Sequence, residues 1–200
     1  MCASVPIGSL RLMGRRATTA LIVLVAAGAV AVGAWVVGAG APPASPMPPQ
    51  TAGIPERPDD AFPLTVTYVF DGDTIEARVQ QPNEIVTTPD PIRIRLIGVD
   101  TPEGTPAPEC WADEARAHLS ALLPDGATVW AAPDVDTWDP YQRRLFNLWT
   151  DEGVFVNHEL VAAGDAEVIR IRPNVAFSDV LTTAQRAAQD AGLGRWGSCE

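Results

Sequence analysis

Three short stretches of this 200-residue chain hold side chains that could hydrolyse a phosphate ester: Asp71-Gly72-Asp73-Thr74, Val99-Asp100-Thr101-Pro102-Glu103, and Asp139-Pro140-Tyr141-Gln142-Arg143-Arg144. Taken singly, each has a plain reading. Asp-Gly is the commonest hairpin-turn signal, the second stretch reads as a solvated loop, and the third as a surface turn. Taken together they suggest more. Carboxylates at the ends of neighbouring strands can converge on one hard cation, and calcium takes about six to eight oxygen ligands. His118 and His158 are isolated, so no His/Cys cluster suits zinc. Arg95 and Arg143 offer planar forks matched to a phosphodiester. A cation, two arginines and a spare carboxylate could support attack of water on phosphorus.

The elements that must position these residues follow from periodicity. Leu64 to Phe70 is rich in Val, Thr and aromatics. Thr74 to Val79 alternates, with Ile75, Ala77 and Val79 on one face. Ile92 to Ile97 alternates again, which puts Arg93 and Arg95 away from the core residues. Trp111, Ala115, Leu119 and Leu122 recur at helical spacing. Thr128 to Ala132 and Arg144 to Thr150 read as two more strands, and Phe155 to Ala163 as a helix closed by Gly164. A longer helical stripe runs from Phe177 to Ala191. The order β-β-β-α-β-β-α-α predicts a mainly β fold with α (α+β). The expectation is a five-stranded OB-fold barrel with three helices, preceded by an N-terminal transmembrane or signal segment.

Charge and composition limit what the chain can bind, and how. Residues 1–41 contain three arginines and no acid; the remainder has 11 arginines, no lysine and 25 acids, a net of −14. A basic coat is thereby excluded, so phosphate must be held locally. Residues 1–16 read as a cytoplasmic n-region. Residues 17–41 form a charge-free apolar run long enough to cross a bilayer, with arginines only on its N-terminal side. A retained anchor and a cleaved signal peptide both stay open. In either case the rest is exported, as a membrane-anchored extracytoplasmic domain or a secreted one. Residues 42–61 read as a proline-rich linker and 62–200 as the folded domain, expected to be monomeric. Cys110 and Cys199 make an even pair in an oxidising compartment and are expected to bond, pinning the C-terminal tail to the first helix.

The four separated segments, Asp71 to Thr74, Arg95 to Glu103, Asp139-x-Tyr141-x-Arg143, and Val156-Asn157 through Leu160-Val161 to Gly164, resemble the staphylococcal nuclease (thermonuclease) domain. The resemblance spans residues 64–197. It implies a calcium-dependent phosphodiesterase acting on DNA and/or RNA. It places the Ca²⁺ carboxylates on Asp73 and Asp100, a carbonyl ligand on Thr101, and supporting acid beside the metal on Asp71. Water activation falls on Glu103, and the phosphate-binding, charge-stabilising pair on Arg95 and Arg143. Tyr141, Arg170 and Arg172 are the candidate substrate-binding residues, the last two standing roughly where the family has tyrosines. Being two apart in an extended stretch, Arg170 and Arg172 are expected to share a face, either gripping phosphate or neutralising nearby acids. Gln142 replaces the glycine usual before the arginine. Two other readings exist: a non-catalytic module binding nucleic acid or protein, and a membrane-tethered calcium-binding envelope protein.

Overall fold

A closed barrel carries the site, and alternation with period two explains which side chains fill it. The computed structural model describes residues 53–199; the expectations for residues 1–41 and for most of the linker lie outside the described residues. Seven strands and four helices follow in the order β1 (Phe62–Val69), β2 (Thr74–Val79), β3 (Ile92–Leu96), β4 (Val99–Asp100), α1 (Ala112–Leu122), β5 (Thr128–Ala132), β6 (Arg144–Thr150), α2 (Val156–Ala163), β7 (Glu167–Val168), α3 (Ser178–Asp190) and α4 (Arg195–Ser198). The barrel order is β1-β2-β3-β6-β5, closed by antiparallel pairing of β1 with β5. Closure leaves no barrel edge strand exposed. The first three strands form the expected meander, and β3 runs parallel to β6. Barrel strands and the three longer helices fall where the periodicity put them. The two-residue strands β4 and β7, which pair as a separate small sheet, and the single turn α4 were not foreseen.

Ile75, Ala77, Ile94, Phe146 and Leu148 are fully buried inside the barrel. Burial of each large apolar side chain contributes about 2 kcal/mol. Trp149 stacks on Phe155 at 4.7 Å between ring centroids, and Phe177 packs edge-on against both. Asn157 is buried on α2 and ties it to β6 and to the turn after β3: its Nδ2 donates to the Ile97 carbonyl and its Oδ1 accepts from the Leu148 amide. The chain ahead of β1 lies against the barrel rather than free of it. Pro55 accepts a hydrogen bond from the Trp149 indole, and Arg57 sits 4.1 Å over the Trp130 ring.

Cys110 and Cys199 are joined, closing a span of 89 residues. Closure of such a loop in the unfolded chain is worth about 4–5 kcal/mol in the chain-entropy picture. The link holds α4 near the start of α1. Beside it, buried Asp165 accepts from the Trp111 indole at 2.7 Å and meets His118 Nδ1 at 2.5 Å. Trp111 adopts a left-handed backbone, φ 75°, a strained conformation for a bulky side chain that the indole bond and the adjacent disulfide hold in place.

The Asp165 carboxylate, more than the opposing burial, raises the His118 pKa above its ordinary value. A group whose pKa rises on folding contributes stability that is complete below about pH 6.5 and lost as pH climbs through the raised value. Replacing His118 by Gln should therefore destabilise the domain by about 1 kcal/mol at pH 5.5. Most of that difference should vanish by pH 9, read from urea unfolding midpoints at the two pH values.

Candidate active site

Asp73 enters the site because the preceding loop can press close to its neighbours. A Cβ on Gly72 would lie 2.7 Å from Thr101 Cγ2 and 2.8 Å from Ala115 Cβ, so only glycine lets the Asp71–Asp73 turn approach Thr101 and α1. This close approach goes beyond the simple hairpin turn that Asp-Gly suggests. The Asp73 amide donates to Asp71 Oδ1 at 3.2 Å. The Asp73 carboxylate is buried and accepts from the Thr101 amide (3.0 Å), the Thr101 hydroxyl (3.2 Å) and the Thr74 hydroxyl (2.9 Å). Burial raises its pKa to about 6, against the pull of Arg95 and with a further upward push from Asp71.

Arg95 is the junction of the site. Register pairs it with Thr74 across β2 and β3, which points it out of the barrel, yet it is buried rather than solvated. The chain reverses after β3 and folds back over it. Its Nη1 donates to the carbonyls of Leu96 and Val99. Its Nη2 meets two carboxylates, Asp100 Oδ1 at 2.6 Å and Asp73 Oδ2 at 3.0 Å. Asp73 and Asp100, from separate turns, thus converge on one nitrogen. β4 and β7 fix the Asp100 side by pairing Asp100 with Glu167 and Val99 with Val168.

Arg143 is oriented by a residue to which the sequence reading gave no separate role. Asp139 Oδ1 accepts from the amides of Tyr141 (2.9 Å) and Arg143 (2.8 Å), and Asp139 Oδ2 accepts from Arg143 Nε at 2.6 Å. One carboxylate therefore shapes the turn and aims the guanidinium. The i,i+4 spacing of Asp139 and Arg143 was the visible signal. Gln142 takes a left-handed backbone, φ 63°, that glycine would adopt at lower cost.

Arg95 and Arg143 line one cleft of about 560 Å³, together with Trp138, Tyr141, Ile171 and Arg172. Arg144 lies 3.7 Å over the Trp138 ring at its rim. Asp73 and Asp100 adjoin the cleft through Arg95 rather than lining it. Arg170 and Arg172 do not share a face. Arg170 bonds Asp179 Oδ1 (2.8 Å) and the Thr182 hydroxyl (3.1 Å) at the start of α3, neutralising an acid, whereas Arg172 lines the cleft. Alternation instead turns Ile169 and Ile171 toward the cleft, and Arg172 follows them where the chain turns before Pro173. Glu103 is exposed and enters no ion pair among the described residues; its loop is closed by paired bonds between Glu103 and Glu109, amide to carboxylate and amide to carbonyl.

Two carboxylates meeting at one point, with Asp71 beside them and one guanidinium between, leave an excess of negative charge on hard oxygen donors. No group of three or more His, Cys, Asp or Glu side chains placed to share an ion occurs among the described residues. The oxygen-only donor set suits calcium or magnesium in type, with the remaining positions open to carbonyls and water.

A family model described as staphylococcal nuclease homologue matches residues 93–198, a stretch that includes Arg95, Asp100, Thr101, Glu103 and Arg143 and begins after Asp71 and Asp73. The chain is also 30% identical over 138 residues to a protein named thermonuclease from Staphylococcus intermedius, covering 66% of this chain and 74% of that one. With the barrel, the helices and these matches together, the chain belongs to the staphylococcal nuclease homologue family.

Proposed function

We propose that this domain is a nuclease that hydrolyses phosphodiester bonds of DNA and/or RNA. Family membership and the thermonuclease relative point to nuclease-type chemistry in general. The observation that carries the finer reading is the meeting of Asp73 and Asp100 at Arg95 Nη2, with Arg143 in the adjoining cleft.

In this reading Arg143 binds the non-bridging oxygens of the scissile phosphate, Arg95 meets it through Nε, the guanidinium N–H that its carbonyl and carboxylate partners leave open, and both oppose the charge that grows during attack. Asp139 holds Arg143 in position, and the Leu96 and Val99 carbonyls do the same for Arg95. Tyr141, largely exposed beside Arg143, offers its ring to the nucleotide. Glu103 orders or deprotonates the attacking water. Asp73, Asp100 and the Thr101 carbonyl are the residues that would hold Ca²⁺, with Asp71 supporting Asp73. Such an ion supplies positive charge to the phosphate and polarises its P–O bonds. The protein acts outside the cytoplasm, retained by residues 17–41 or released after their removal, a placement supported by the Cys110–Cys199 bond.

Replacing Arg143 with Ala should lower the turnover of single-stranded DNA by about 10²–10³-fold while leaving calcium affinity unchanged, because Arg143 opposes charge on the phosphate and touches no proposed ligand. Cleavage near the parent rate would remove the assigned role. Replacing Asp100 with Ala should abolish both calcium binding, measured by titration calorimetry, and cleavage. An unchanged calorimetric affinity would take Asp100 out of the ligand set. A domain that only binds nucleic acid would show no cleavage difference between calcium and EGTA.

A further inference from the structure

A second cluster of arginines and aromatic rings lies beside the site but outside the cleft. Tyr68, at the end of β1, and Phe70, just beyond it, pack edge to face with centroids 4.8 Å apart. Arg93 sits 4.1 Å over the Phe70 ring. Arg116, from α1, reaches over Tyr68, donating to its hydroxyl and to the Val69 carbonyl at 3.2 Å each. Arg93 and Arg116 are exposed and enter no ion pair among the described residues, in a domain where acids greatly outnumber arginines. Glu76, which faces Arg93 across the β2–β3 register, accepts from the Thr67 hydroxyl at 2.8 Å and forms no ion pair with Arg93.

The placement gives this cluster a direction. Arg93 is two residues before Arg95, so both project from the outer face of β3, about 6.6 Å apart along the strand. Phe70 directly precedes the Asp71–Asp73 turn. The cleft takes in Arg95 and the residues after it but not Arg93, so the cluster continues from Arg95 on the side away from the cleft. Interleaved rings and guanidiniums are the composition of a sequence-tolerant platform for unpaired strands. The outer face of β2 and β3 is also where OB barrels meet oligonucleotides.

We propose that Tyr68, Phe70, Arg93 and Arg116 form a second binding track for single-stranded nucleic acid, continuing across the catalytic centre from the cleft. The proposal rests on the nuclease reading and deepens it: the substrate is an unpaired strand gripped on both sides of the cut, hence cleaved internally. Bases stack on Tyr68 and Phe70, while Arg93 and Arg116 meet consecutive phosphates.

The test uses the exported domain with a fluorescently labelled 12-nucleotide single-stranded DNA. Binding is read by anisotropy in EDTA across a salt series, and cleavage of the 12-mer and of a trinucleotide is read in calcium. Arg93→Ala should weaken 12-mer binding about tenfold and lower the salt dependence by about one phosphate contact. It should raise KM for the 12-mer while leaving trinucleotide cleavage unchanged. Tyr68→Leu should weaken 12-mer binding by roughly five- to tenfold through lost stacking. Arg116→Ala, which removes an exposed helix side chain and its bonds to Tyr68 and Val69, repeats the salt test if either variant fails to fold. Binding within twofold of the parent in the folded variants, or no measurable binding by the parent, would overturn the track. Arg93-dependent binding without any cleavage would keep the track and reject the nuclease reading; cleavage with Arg93-independent binding would do the reverse.

Discussion

One buried guanidinium holds the site together. Arg95 spends one nitrogen on two backbone carbonyls of the turn that covers it and the other on two carboxylates from different turns. A buried cation without partners would cost several kcal/mol, so the surrounding chain must supply acceptors in these positions. The acceptors in turn are anchored: Asp73 by Thr101 and Thr74, and Asp100 by the small sheet of β4 and β7. The three stretches that carry the chemistry are brought together by this junction and by the closed barrel beneath it.

Charge explains the arrangement of the rest. A domain with a net of −14 outside residues 1–41 has no general attraction for polyanions. Its arginines do two kinds of work. Some neutralise local acids, as Arg170 does with Asp179 and Arg195 with Glu167. Others stand beside aromatic rings, as Arg144 does with Trp138 and Arg93 with Phe70, and Arg143 does both, pairing with Asp139 beside Tyr141. In the proposed function, the carboxylates at the Arg95 junction are the residues that would hold a divalent cation.

Most of the barrel was legible because period-two alternation in β2 and β3 is set by burial on one face, and Ile75, Ala77, Ile92 and Ile94 occupy the core as that pattern requires. What escaped the pattern was short or depended on the third dimension. Two residues of β4 and two of β7 carry no period. Arg95 was correctly placed off the core face, but its burial comes from the chain folding back after Ile97, which alternation along β3 cannot show. The stretch after Glu167 does not keep Arg170 and Arg172 on one face: Ile169, Ile171 and Arg172 line the cleft, because the chain turns before Pro173, while Arg170 pairs with Asp179. Asp139 was visible in the motif, yet its part in shaping the turn needed the hydrogen bonds.

The most direct measurement is the rate of single-stranded DNA hydrolysis by Arg95→Lys at saturating calcium, with unfolding followed in parallel. A lysine keeps the charge but cannot bridge two carbonyls and two carboxylates at once. The account predicts a loss of at least 10²-fold in kcat together with a lower melting temperature. Activity within threefold of the parent in an equally stable protein would contradict it.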